Sequence, residues 1–163
     1  MGLARRQEDR SPGQRVAQGF RSILLPVNTA QADLPADMVD VAARLAAERG
    51  SSIVLMAFTE VPLWEEMDME LPGLDEHVQA MGAEARSIAR RYGVGLHLTA
   101  PRTRHVVDLI LREARRRRAE LVVFGATGRT RSDFRAVLCD STTRLVSEEA
   151  RVRTMFVRAP ALA

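Results

Sequence analysis

Two glycines placed directly behind an apolar run carry the clearest chemistry in this chain. Gly125-Ala-Thr-Gly128 follows Leu121-Val-Val-Phe124, and Ser141-Thr142-Thr143 begins thirteen residues beyond Gly128. A short apolar run reads as a buried parallel strand. Glycines at its C-terminal end let the backbone turn sharply and approach a ligand closely. A hydroxyl cluster opening a helical stretch adds free N–H groups and a helix dipole, which favour an anion. Strand, glycine turn and hydroxyl-capped helix start together describe a nucleotide phosphate site. Asp140 runs against that reading, because a phosphate binder wants glycine there.

Other reactive residue types are sparse. All 24 basic residues are arginine and none is lysine, so no P-loop, Schiff-base or general-base lysine exists. His77, His97 and His105 fall on different elements with no metal-ligand spacing. His97 reads as a surface or packing residue and His105 as a helix cap or a ligand contact near Gly125. Cys139 has no histidine partner in its neighbourhood and reads as buried packing. No Ser-His-Asp order and no defined acid pair emerges, so no catalytic residue is assigned and an enzyme is the least supported class. Arg129, Arg131 and Arg135 lie in the loop behind Gly128, where guanidinium forks suit phosphate oxygens. Arg115-Arg-Arg-Arg118 reads either as a patch for an acidic partner or as a solvated helix C-terminus favoured by the macrodipole.

These residues need a frame. Ser22 to Val27 reads as the first strand, Leu34 to Arg49 as a helix with Pro35 in its first turn, and Ile53 to Phe58 as the second strand. Residues 59–73 are acidic and framed by prolines; they read as a long surface loop. Its Trp64 is either an exposed partner contact or a lid folded back on the sheet. A helix follows from Leu74 to Arg91, with Val78, Met81, Ala85 and Ile88 on one face. Val94 to Thr99 is the third strand and Val106 to Arg118 the third helix. Leu121 to Phe124 is the fourth strand, Leu138 to Ala150 the fourth helix, and Thr154 to Arg158 the fifth strand. Strands alternating with helices predict a three-layer α/β/α sandwich with a five-stranded, mainly parallel, doubly wound Rossmann-like sheet. Ligands in such folds sit outside the C-terminal strand ends, where strand order reverses. The ends at Asn28 and Gly125 therefore flank one crevice.

Composition bounds the rest. The chain has 163 residues, 46% of them hydrophobic and 4% aromatic, so one domain with an aliphatic core is expected. No apolar run approaches the ~20 residues of a membrane span, and no signal peptide is visible. A single cysteine rules out an internal disulfide and fits a reducing cytoplasm. Residues 1–20 are polar and Arg-rich, and read as a disordered leader or linker before a domain at 21–160. The five arginines of residues 1–22 against Glu8 and Asp9 carry the whole excess of +3. A charge-balanced folded part argues against a nucleic-acid binder.

At this point the pattern resembles the universal stress protein family. Its members open on a strand ending Pro-Val-Asp, here Pro26-Val27-Asn28, and carry Ala-Asp-Leu-Ile-Val-x-Gly, here Ala119-Glu-Leu-Val-Val-Phe-Gly125. Their ATP-binding members continue with Gly-x-x-Gly, nine residues, then Gly-Ser/Thr. Here eleven residues separate Gly128 from Asp140-Ser141. The resemblance spans about residues 21–158 and implies an adenine nucleotide alpha hydrolase-like fold. It implies a small regulatory or stress-response module that binds ATP, AMP or a related nucleotide, with Mg in the case of ATP, without efficient turnover. Pro26, Val27 and Asn28 would hold the adenosine end and Ala57 the base pocket. Gly125, Thr127, Gly128, Arg129, Arg131, Ser141 and Thr142 would hold phosphate. Asn28 replaces the family's carboxylate with a neutral amide that both donates and accepts. The resemblance also implies a homodimer through residues 153–158. Two other readings stay open: a dimerisation domain that binds no nucleotide, and the soluble regulatory domain of a membrane transporter with the leader as linker.

Overall fold

The computed structural model describes residues 22–126, 146 and 152–158. Of the sequence expectations, the leader at 1–20 lies outside the described residues. So do Thr127, Gly128, Arg129, Arg131, Arg135, Cys139, Asp140, Ser141 and Thr142.

The longest apolar runs form the sheet. They give β1 (Ser22–Asn28), β2 (Ser52–Glu60), β3 (Leu96–Thr99), β5 (Ala119–Ala126) and β6 (Arg153–Arg158). The two-residue β4 (Arg102–Thr103) joins β2 beyond the end of β3. Every pairing is parallel, in the order β3-β2-β1-β5-β6. Strand order reverses between β1 and β5, so a crevice opens at their C-terminal ends.

Three helices are described: α1 (Ala36–Arg49), α2 (Leu74–Arg90) and α3 (Val106–Arg116). Both sheet faces are covered, giving three layers. Alternate residues of β1 and β2 serve opposite faces. Ile23, Leu25, Val27, Ile53 and Leu55 pack with Met38, Val39, Ala42, Met81 and Ala85 of α1 and α2. Leu24, Val54, Met56 and Phe58 pack with Leu109, Ile110 and Ala114 of α3. Of the expected helix at 138–150 only Val146 is described; it is helical and fully buried in this second core.

Several boundaries differ from the sequence expectation, each for a local reason. Pro35 is the N-cap of α1 and not part of its first turn; its ψ of 84° is non-helical, while its carbonyl accepts from Met38 N and Val39 N. The third strand starts at Leu96 because Val94 N still closes the end of α2 on Ala89 O, past Gly93 at φ 67°. The sheet has five main strands as expected, plus β4. That strand is invisible to periodicity because it is two polar residues held by backbone bonds, Thr59 N to Pro101 O and Val61 N to Thr103 O. The third helix ends at Arg116, and Arg118 takes a left-handed φ of 50° that leads into β5.

The arginine run at 115–118 is partly internal. Arg116 and Arg117 pair at 3.5 and 3.6 Å with Glu113, whose side chain is 11% exposed. Ser22 Oγ donates to Arg117 O at 2.9 Å and ties the start of β1 to the end of α3. On the other face, Tyr92 bridges α1 and α2: its hydroxyl donates to Asp40 at 2.5 Å and accepts from Arg44 Nε at 3.1 Å. The Tyr92 hydrogen bond, with the nearby Asp40 charge, raises the pKa of Arg44.

Candidate functional site

The ends of β1 and β2 run in register, Asn28 opposite Phe58, and their ladder extends one step further through Thr29 N to Phe58 O at 2.9 Å. Thr29 and Thr59 join their hydroxyls across it at 2.8 Å. Just past this rim lies a groove of about 390 Å³. Asn28, Thr29, Thr59 and Glu60 line one side; Gly73, Leu74 and His77 of the α2 entry line the other. That volume falls within the usual range for small-molecule sites.

Asn28 is oriented by its own loop. Its Oδ1 accepts from Ala30 N at 2.9 Å, an Asx turn, while Gln31 N bonds back to Asn28 O at 3.0 Å. The Nδ2 amide has no partner among the described residues, so it remains a donor for whatever enters. His77 closes the far side. Its Nε2 lies 2.9 Å from Gln31 O, and since a carbonyl only accepts, Nε2 carries the proton there. This bond latches the β1–α1 loop to α2. Gly73 caps α2 at φ 79° with no side chain to occupy the first-turn N–H groups.

The expected site residues separate into four sets. Asn28 reaches the groove. Pro26 is buried, Val27 is 2% exposed within the first core, and Ala57 opposite it is fully buried. These three form the floor beneath the strand ends and do not line the groove. Gly125 sits at the end of β5, opposite Val157. A methyl group there would fall 2.7 Å from Pro35 Cβ, 2.8 Å from Met38 Cβ and 3.0 Å from Met38 Sδ. The room left by the missing side chain is therefore filled by the N-cap and first turn of α1. The phosphate set from Thr127 onward lies outside the described residues.

The structure bears on two other readings left open by the sequence. His105 is the N-cap residue of α3 but makes no side-chain cap; instead Thr103 Oγ1 accepts from His105 N at 2.9 Å. Trp64 is no lid: it is 84% exposed. Thr29, Thr59, Glu60 and His77 were not singled out from sequence as ligand contacts. Their signal was position, since each lies at or just past a strand end or in the first turn of a helix. Among the described residues no cluster of His, Cys, Asp and Glu could hold a metal ion, and no helix is long and apolar enough to cross a membrane.

The model of the Universal stress protein family matches residues 19–158. The chain belongs to the universal stress protein family. Solved structures of the family share its fold. A universal stress protein from Archaeoglobus fulgidus in complex with dAMP superposes with a TM-score of 0.62 at 17% identity, covering 84% of this chain and 97% of that one. One from Burkholderia pseudomallei gives 0.60 at 20% identity, covering 86% and 97%. A universal stress protein in complex with cAMP gives 0.59 at 18% identity, covering 85% and 97%. No curated protein matches the chain.

Proposed function

We propose that this universal stress protein domain binds an adenine nucleotide across the C-terminal ends of β1, β2 and β5, as a regulatory module without efficient turnover. The observation that carries the reading is the groove beside Asn28, at the C-terminal ends of β1 and β2. Family members bound to dAMP and cAMP support the ligand class. The groove suits the uncharged end of such a ligand. It presents an amide donor, two hydroxyls and a histidine ring, and Glu60 is a carboxylate that would repel phosphate. The nucleoside end therefore lies over β1 and β2, and the phosphates point towards Gly125 and the Gly128, Arg129, Arg131, Ser141 and Thr142 segment. Where ATP is the ligand, Mg would accompany the phosphates at that end.

Thermal shift and titration calorimetry with ATP, ADP, AMP, cAMP and cyclic dinucleotides test this. A nucleotide at a hundred times its Kd stabilises by about 2.7 kcal/mol, and Asn28→Ala should weaken it. No shift with any of them at millimolar concentration sinks the reading. Restored binding in Asp140→Gly would mark a site lost by that substitution.

Gly125 favours a second reading. Its missing side chain is accounted for by Pro35 and Met38, so the glycine turn does not by itself demand a phosphate. The domain would then serve dimerisation alone, as a cytoplasmic partner or an appended transporter domain. In either reading the pairing edge is β6. It pairs with β5 and with no other described strand, and its Met155, Phe156 and Val157 are half-buried in the single chain. Sedimentation of a Phe156→Glu variant tests the edge.

A further inference from the structure

The loop between β2 and α2 carries an apolar tip that the nucleotide reading does not use. Leu63 is 75% exposed, Trp64 84% and Met67 39%. Soluble proteins seldom present such groups together without a partner. The tip is also held in place. Glu65 N closes a turn on Pro62 O at 3.1 Å, and Met69 N closes the next on Glu66 O at 3.3 Å. Leu63 and Trp64 occupy the middle of the first turn and Met67 that of the second. From β4 and its following residue, two guanidinium groups fasten this backbone. Arg102 donates to Met67 O and Met69 O, and Arg104 donates to Glu65 O at 2.6 Å.

Charge decides what fits. Residues 60–76 contain seven carboxylates and no arginine, in a chain with 24 arginines. Glu66, Asp68 and Glu70 are exposed around the apolar tip, and among the described residues none of them is in an ion pair. Anionic lipid and nucleic acid are repelled by such a rim. A second copy meeting the same patch would set acid against acid.

We infer that residues 61–70 form a docking platform for a basic, apolar segment of another protein, with Trp64 as the anchor and the carboxylate rim selecting arginine or lysine. A platform fastened in advance loses little freedom on binding, and a tryptophan with a charged rim is the usual composition of a binding hot spot. The inference stands apart from the nucleotide site and does not need it.

The test uses the full chain and a labelled twelve-residue peptide of alternating arginine and leucine, read by anisotropy. Binding is expected, with a blue shift of Trp64, the only tryptophan in the chain. Trp64→Ala should weaken the complex at least about tenfold, as should Glu66→Gln combined with Asp68→Asn. Glu84→Gln, an exposed carboxylate on α2, should leave it unchanged. An unaltered melting temperature confirms that Trp64→Ala is folded. The inference is overturned if the variants bind like the parent chain, or if an arginine-only peptide binds equally well. It also fails if phosphatidylglycerol vesicles bind at the tip, or if sedimentation finds a dimer that Trp64→Ala dissociates.

Discussion

Gly125→Ala separates two explanations of the same glycine. In an ordinary strand the change stabilises, since glycine costs roughly 0.5–1 kcal/mol relative to alanine. Gly125 does not occupy left-handed backbone, so no conformational penalty opposes that gain. Contact does. The new methyl would lie 2.7 Å from Pro35 Cβ and 2.8 Å from Met38 Cβ, both anchored directly to the backbone and unable to swing aside. Carbon atoms sit comfortably at about 3.5–4.0 Å, so the start of α1 must retreat by nearly an ångström. Met38, Val39 and Ala42 are fully buried, and a retreat loosens all of them. Overpacking of this kind costs about 1–3 kcal/mol. After the strand gain, a net loss of up to about 2.5 kcal/mol, centred near 1 kcal/mol, remains, and for a domain of this size each kcal/mol lowers Tm by roughly 2–4 °C. Urea and thermal melts read it directly. Met38→Ala removes the Sδ contact and lets α1 shift, so the double variant should recover at least about 0.5 kcal/mol against additivity. A Gly125→Ala protein as stable as the parent refutes the packing argument. If that protein also loses nucleotide binding, the glycine serves the ligand instead.

Three further outcomes follow from the geometry. Glu113→Ala removes the counter-charge of Arg116 and Arg117 and strands Arg117 Nε, already buried without a hydrogen bond, so the urea midpoint should fall by the equivalent of about 1–3 kcal/mol. His77→Ala breaks the latch to Gln31 O; it should cost about 0.5–1.5 kcal/mol of stability and weaken nucleotide binding several-fold by calorimetry. Unchanged affinity would detach the latch from the site. Arg102→Ala frees Met67 O and Met69 O, so limited proteolysis within residues 61–73 should accelerate while global unfolding moves by about 1 kcal/mol or less.

The sheet and its reversal were legible because Ile23 to Val27, Ile53 to Phe58 and Leu121 to Phe124 are apolar runs that only a doubly covered sheet accommodates. Asn28 was legible as a rim residue because it ends such a run. The groove opposite it was not, because Thr59, Glu60 and His77 meet only after β2 and α2 have folded past the rim. Arg102 and Thr103 hid a strand, since backbone bonds alone define it. Gly125 was read as room for a ligand. A missing side chain announces close approach but does not name the neighbour, and here Pro35 and Met38 arrive from ninety residues upstream. Pro35 itself was placed one step too far into the helix, because proline suits both positions and only its ψ distinguishes them.

The central pairing of β1 with β5 also sets an order of events. Ser22 meets Ser52 across 30 residues of chain but meets Ala119 across 97. Closing the longer span costs about 1 kcal/mol more in chain entropy, so the β1–β2 half can assemble while β5 is still unplaced. A ligand that needs both β1 and β5 ends finds no site in that half-assembled chain. Its binding energy therefore acts after the halves have joined, where it slows their separation and leaves the rate of joining alone.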